Sequence, residues 1–336
     1  MYEILTLNER DEWQRVLDLF QITDIFYSSY YFNSAMKLDP GESLMFYYTD
    51  EEGAIVYPFI KRKLEGNEGG YFDITTPFGY GGPIVIIKKN VSVLIANFVN
   101  AFSDYCRQAN IVAEFIRFHP LQENSFLFAN HYNLLPMYKT YTFKLNPLNK
   151  RTAFMEENGH GASNESGIVI KKLGTVRHMF EFLVLYYSEA RRREEADSYY
   201  FFTNDYFETL ISSLGPNLHL FGAYDKNKLV SACYVLTAGD TIYHHLEGSL
   251  EEVDSSDAVK ELLQKIAEWG EDNNFVFFHL GGDYKGNLSP ARNIKEELSN
   301  LEPSMFFICE NIHNPEIYKK FVADEEEDII KRYRNI

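Results

Sequence analysis

The chain has 336 residues, 45% of them hydrophobic and 16% aromatic, and a formal net charge of -17. Such a length suits two domains of roughly 150 residues each, and the apolar content is ample to offset ordering entropy, which excludes general disorder. The acidity sets the average surface field against DNA, other phosphate polymers and anionic membranes.

Cys106, Cys233 and Cys309 are few, odd in number and far apart. They fit neither a disulfide framework nor a zinc knuckle, and they predict buried thiols in a reducing compartment. The first residues, MYEILTLNERDEWQ, carry acids where a signal peptide needs a basic segment and an apolar run. Apolar stretches such as Phe180 to Tyr187 are far shorter than a membrane span of about 20 residues. A cytoplasmic protein without membrane insertion is expected.

In chain order, helical segments are predicted at residues 9–20 and 24–37, followed by a hairpin of strands 43–49 and 54–62 around the turn Asp50 to Gly53. Strand 71–76 runs into Pro77-Phe78-Gly79-Tyr80-Gly81-Gly82-Pro83. A helix is predicted over 91–108, with Val91, Leu94, Ile95, Phe98, Val99 and Phe102 on one face, and strand 111–118 closes the unit. Residues 147–167 are polar and turn-forming, the composition of a linker or mobile loop. Helices at 175–196 and 204–213 then precede strands 218–224, 229–237 and 241–247. Ser256-Asp257 caps a helix bearing Val259, Leu262, Leu263, Ile266 and Ala267, and strand 275–280 closes the second unit. The order of three antiparallel strands, helix and strand therefore occurs twice. Residues 1–146 and 168–323 are read as two domains related by an internal repeat, and 324–336 as a charged, solvated tail.

The runs YFDITTPFGYGGP (71–83), EFIRFHPLQEN (114–124), YYSEARRREEADSYYFF (186–202) and FHLGGDYKG (278–286) resemble the FemABX-like peptidyltransferases and the tandem GNAT-type acyltransferases. The resemblance implies an α/β fold with mixed sheets and two tandem GNAT-like domains. It also implies transfer of an acyl or aminoacyl group to an amine of a cell-wall (peptidoglycan) precursor, amino-sugar or peptide-type acceptor. Acyl-CoA or aminoacyl-tRNA would be the donor substrate, with no permanently bound cofactor. The acidity and the lack of a heptad-patterned helical arm disfavour tRNA. The family's Asp-x-Leu-x-x-Phe-Lys pattern reads Ser289-Pro290-Ala291-Arg292-Asn293-Ile294-Lys295 here, and only the lysine matches. That departure leaves two alternatives open, a catalytically degenerate binding protein and an acyl-CoA-dependent N-acetyltransferase.

Amide formation needs a neutral amine, a positioned carbonyl and donors aimed at the developing oxyanion, with no required nucleophile or metal. HExxH, Walker A and nucleophile-elbow motifs are absent from the sequence. The resemblance makes Lys295 and His119 the candidate catalytic groups, His119 through its place before Pro120, where the family presents a polar residue to the acceptor. Within strand 111–118, Glu114 and Arg117 interrupt an apolar run. Buried charges require partners, so Arg117 either pairs with Glu114 or Asp73 or binds a substrate phosphate or carboxylate. Candidate substrate contacts are Asp73, Tyr80, Gly81, Gly82 and Arg117, together with Arg193, which matches a family arginine, and Tyr200 in an aromatic run. The glycine loop is suited to presenting N–H groups to an anion, with Lys88 and Lys89 near the next helix start. His244 and His245 alternate along a strand, so a metal pair there is not expected.

Overall fold

The computed structural model describes residues 1–64, 70–146, 167–192, 198–250, 257–282 and 290–321. Arg193, nearly all of the expected linker and the tail 324–336 lie outside the described residues. The elements run β1 (Tyr2–Thr6), α1 (Arg10–Leu19), α2 (Ser29–Ala35), β2 (Glu42–Thr49), β3 (Gly53–Lys63), β4 (Phe72–Thr75), β5 (Ile84–Ile87), α3 (Val91–Gln108), β6 (Ile111–Arg117), α4 (Asn124–Phe128) and β7 (Leu134–Lys144). They continue with β8 (Ile168–Leu173), α5 (Thr175–Arg192), α6 (Asn204–Leu214), β9 (Leu218–Asp225), β10 (Lys228–Ala238), β11 (Thr241–Ser249), α7 (Asp257–Asp272), β12 (Phe277–Gly282), α8 (Pro290–Leu298) and β13 (Ser304–Ile312).

Two compact units result. The first comprises Met1–Met137, Phe202–Thr209 and the chain from Met305 onward; the second comprises Tyr138–Phe201 and Leu210–Ser304. Their strand orders match: β1-β2-β3-β4-β6-β13 in the first, with β5 also on β3, and β7-β12-β11-β10-β9-β8 in the second. In each unit a hairpin feeds a third antiparallel strand, and a helix then crosses to a parallel fourth strand, β4 to β6 through α3 and β11 to β12 through α7. The repeat read from the sequence is thus present in both units. The cut between units differs from 1–146 and 168–323, because the closing strands are exchanged along the sequence. β13 pairs antiparallel with β6 in the first unit, while Thr140–Lys144 of β7 pair with β12 in the second.

Helix α3 shows how pattern becomes packing. Asn90 caps it, accepting from the amides of Ser92 and Val93, and Leu94, Ile95, Phe98, Phe102 and Cys106 are buried along one face. Phe102 lies 5.0 Å from Phe46, 5.2 Å from Tyr57 and 5.8 Å from Phe59, ring to ring. Each such side chain contributes about 1.5–3 kcal/mol when fully buried. The second unit repeats the arrangement, with Val259, Leu262, Leu263, Ile266 and Ala267 of α7 packed on Phe221, Val235, Ile242 and Phe278.

The third strand differs between the units. In the second, β11 pairs with β10 along its length. In the first, the same path is broken: β4 pairs with Ile60–Lys63 and β5 with Gly53–Val56. The eight residues 76–83 therefore stand opposite only Tyr57, Pro58 and Phe59, and the excess chain leaves the sheet as a loop.

Candidate functional site

Loop 76–83 of the first unit is held from below. Tyr31 donates its hydroxyl to Phe78 O at 2.6 Å and Tyr27 to Gly82 O at 3.1 Å, while Asn124 Nδ2 donates to Gly81 O at 2.9 Å and Pro83 O at 3.2 Å. Gly79 has φ +101°, and a Cβ there would fall 2.3 Å from the Phe26 ring, so no other residue fits without displacing that ring. Gly81 and Gly82 are buried with their carbonyls engaged, and the half-exposed part of the loop is Phe78 to Tyr80. The Tyr80 ring lies 5.1 Å from His119 and 5.6 Å from Phe306.

Arg117 ends β6 beside this loop. Its Nη1 donates to Thr75 Oγ1 at 3.2 Å and Thr76 O at 3.3 Å, and its guanidinium sits 4.8 Å over the Phe115 ring. All of these partners are neutral. Neither Glu114 nor Asp73 takes its charge, contrary to the pairing considered from sequence. Glu114, fully buried, instead accepts from Tyr57 OH at 3.2 Å and Asn311 Nδ2 at 2.8 Å and lies 3.4 Å from His313 Nε2. Asp73 is bidentate with Arg62, at 2.8 and 2.7 Å, and Arg62 reaches Asp39 at 2.9 Å. Asp73 is thus part of a buried ion-pair network, and the half-buried guanidinium of Arg117 remains without a carboxylate among the described residues.

His119 is 1% exposed, with Nδ1 accepting from Leu121 N at 3.2 Å and Nε2 lying 2.9 Å from Asp24 Oδ2. Both ring nitrogens are committed inside the unit, so the ring braces the loop and presents no atom to an acceptor. Lys88 and Lys89 do not build an anion site either. Lys89 pairs with Glu51 at 2.8 Å, and the start of α3 is already satisfied by Asn90. Tyr200 is half-exposed, its carbonyl accepting from Tyr186 OH at 2.6 Å.

In the second unit, β11 and β12 pair only at Thr241, Ile242 and Tyr243 against Phe277, Phe278 and His279. Beyond these pairs β11 and β12 share no further ladder pairing, and the carboxyl ends of parallel strands are where open α/β sheets receive ligands. Lys295 of α8 is 5% exposed, and its ammonium donates to Gly282 O, the last residue of β12, at 3.4 Å. Its charge bears on Cys233 of β10 and His244 of β11, helping to lower the pKa of the latter after burial has done most of the work. No carboxylate lies within ion-pair distance of Lys295 among the described residues. Burial pushes the Cys233 thiol well up, so it rests protonated and is no nucleophile. Lys295 was legible as a motif remnant; what sequence reasoning missed is the company it keeps, His244 and Glu247.

No family model matches the chain, and no curated protein matches it in sequence. Solved structures do match in fold. The crystal structure of FemX aligns with TM-score 0.63 at 10% identity, covering 95% of this chain and 99% of that one. A tandem GNAT protein from the clavulanic acid biosynthesis pathway gives 0.54 at 11% identity, with 94% and 99% covered. A GCN5-related N-acetyltransferase from Sphaerobacter thermophilus gives 0.51 at 12% identity, with 90% and 86% covered. The fold is that of the GNAT-type acyltransferases. Within that class it is the tandem, FemABX-like arrangement, which both the FemX and the tandem GNAT alignments span almost end to end.

Proposed function

We propose that the chain is an N-acyl or aminoacyl transferase acting on an amine of a cell-wall-precursor, amino-sugar or peptide-type acceptor. The observation that carries this reading is Lys295, a buried ammonium at the end of β12 with no carboxylate at ion-pair distance among the described residues. A degenerate binding protein would have left this lysine solvated beside Glu296 and Glu297. Burying a cation costs several kcal/mol unless a compensating charge arrives. An oxyanion developing on a donor carbonyl is such a charge, and a cation fixed beforehand stabilises it without reorganisation. In the first unit Arg117, held only by neutral oxygens, has the chemistry to receive a phosphate or carboxylate.

A CoA thioester is the favoured donor, because a net charge of -17 opposes the long phosphate contact that a tRNA requires. Three buried, unpaired thiols fit a reducing, cytoplasmic setting. The test screens the full chain with acetyl-CoA, charged tRNAs and UDP-linked muropeptides, following thermal stability and product mass, since a ligand bound only by the folded state raises its apparent stability. Transfer of the acyl mass to an amine is expected, with a loss on the order of 10²–10³ in rate for Lys295→Met. Absence of any product, with no donor stabilising the chain, refutes the reading.

A further inference from the structure

Strand β11 carries a second chemical group within reach of the Lys295 charge. Cys233 pairs with Glu247, Tyr234 with Leu246 and Val235 with His244, so His245 is an extra residue bulged out of the ladder. Cys233 and Val235 are two apart and share the face of the sheet that packs on α7 and α8. Their partners are three apart. In a regular strand residues 244 and 247 would point to opposite faces; the bulge at His245 is what brings both side chains to the Cys233 face. There His244 Nε2 lies 3.0 Å from Glu247 Oε2, the imidazole 6% exposed and the carboxylate 22% exposed. The two groups lie within ion-pair distance, and a proton placed on Nε2 toward the carboxylate leaves Nδ1, which no described group engages, as the basic atom. His244 is also the first residue past the last β11–β12 pair, where the charge of Lys295 bears on it.

Resting on the transferase reading above, we infer that His244 is the general base of the reaction, held in its tautomer by Glu247 as a positioning residue. The amine lone pair attacks the donor carbonyl carbon, forming the C–N bond as the carbonyl electron pair moves onto oxygen beside Lys295. The N–H proton passes to His244 Nδ1, and the imidazolium is stabilised by the Glu247 carboxylate. Collapse breaks the bond from the carbonyl carbon to sulfur or oxygen, and the leaving group takes the proton from His244. Products are an amide and a free thiol or hydroxyl, with no redox change and no further reactant.

The groups around His244 agree with this role. Burial and the Lys295 charge lower its pKa, while Glu247 opposes them, so the ring is neutral and able to accept a proton near pH 7. His245, on the same strand, is neutral too, its pKa pushed down to about 3 by burial and by His244. From β10, Cys233 faces it as a neutral thiol, and from β12 the His279 ring, 5.9 Å from Tyr243, is held by Thr142 Oγ1 at 3.0 Å. On α5, Glu189 accepts from Ser249 N at 3.1 Å and Arg192 donates to Ser249 O at 2.7 Å, at the far end of β11.

The test uses the full chain with acetyl-CoA as donor and a UDP-linked muropeptide bearing a free lysine amine, read by thiol release and product mass from pH 5 to 9. His244→Gln, which keeps a donor toward Glu247, is expected to lower the rate 10²–10⁴-fold and to abolish its acid limb, with KM for acetyl-CoA unchanged. Glu247→Gln is expected to move the acid limb to lower pH, since removing the carboxylate takes away what raises the His244 pKa. Long-range ¹H–¹⁵N spectra, assigned with the His244→Gln variant, should show wild-type His244 neutral and protonated at Nε2 at pH 7. An Nδ1-protonated or charged ring overturns the inference, as does a His244→Gln variant that transfers at the wild-type rate, an outcome that leaves the transferase reading standing. A wild-type chain that transfers nothing removes the transferase reading, and the base goes with it.

Discussion

Replacing Asp73 separates a stability role from a binding role. Arg62, Asp73 and Asp39 have side chains 11%, 8% and 0% exposed, so the network is nearly desolvated. Breaking a buried pair by removing one partner costs about 3–5 kcal/mol, because the remaining charge is left without compensation. In Asp73→Ala the guanidinium loses both bonds of its bidentate contact and keeps the one to Asp39, so the lower end, about 3 kcal/mol, is expected. For a unit of this size that is a fall of roughly 6–12 °C in Tm. Urea titration followed by circular dichroism measures it. Asp39→Ala combined with Asp73→Ala should lose more than the sum of the single variants, because only the double variant removes both carboxylates from Arg62. A single variant within about 0.5 kcal/mol of wild type, or one that binds phosphate ligands more weakly at unchanged stability, refutes the structural assignment and returns Asp73 to the binding site.

Arg117→Gln should weaken binding of pyrophosphate at least about tenfold, measured by calorimetry, while leaving the melting temperature nearly unchanged, since it breaks no charge pair. Lys295→Met should be neutral or mildly stabilising in urea, because a buried cation with no carboxylate partner among the described residues is replaced by an apolar chain of similar length. His219 has its pKa lowered to about 4 by burial and by Lys172, so between that value and the ordinary one near 6.5 the unfolded chain binds the extra proton. The stability it contributes is complete above about pH 6.5 and is lost as pH falls toward 4, and urea midpoints taken over that range should fall less steeply in His219→Gln.

Elements whose pattern is complete within one window were legible in the sequence. Helix α3 is the clearest, with the same ends read from the residues and found in the structure, because an unbroken 3.6-residue face follows a capping asparagine. The hairpins likewise needed only alternation and a turn. Strand β13, which carries Cys309 and Asn311 into the first unit, was not assigned to that unit, because alternation marks a strand without naming its neighbour. The site divided in the same way. Arg117 and Lys295 stood out as charges in the wrong place, one inside an apolar strand and one as the last residue of a decayed motif. His244 and Glu247 were hidden by a single bulged residue, since a period of two assigns them to opposite faces and only the register at Tyr234 and Val235 reverses that.

The exchanged closing strands also decide what a shortened chain can do. A fragment ending at residue 146 carries every element of the first sequence repeat, and by pattern alone it should fold. In the structure it lacks β13, so β6 loses the antiparallel partner that spans Ala113 to Arg117 and becomes an exposed edge. The polar contacts that Asn311 and His313 make to the Glu114 carboxylate go with that chain, leaving the neutral hydroxyls of Tyr57 and Tyr132. A carboxylate with no exposure and only neutral hydroxyl neighbours costs several kcal/mol, comparable to the whole stability of a small domain. The fragment is therefore expected to aggregate or to bind the dye ANS without cooperative melting. Adding Glu114→Leu should improve its solubility less than restoring residues 304–321 through a flexible linker, since only the latter also covers the β6 edge. A 1–146 fragment that is soluble, monomeric and melts cooperatively would show that the first unit does not depend on β13.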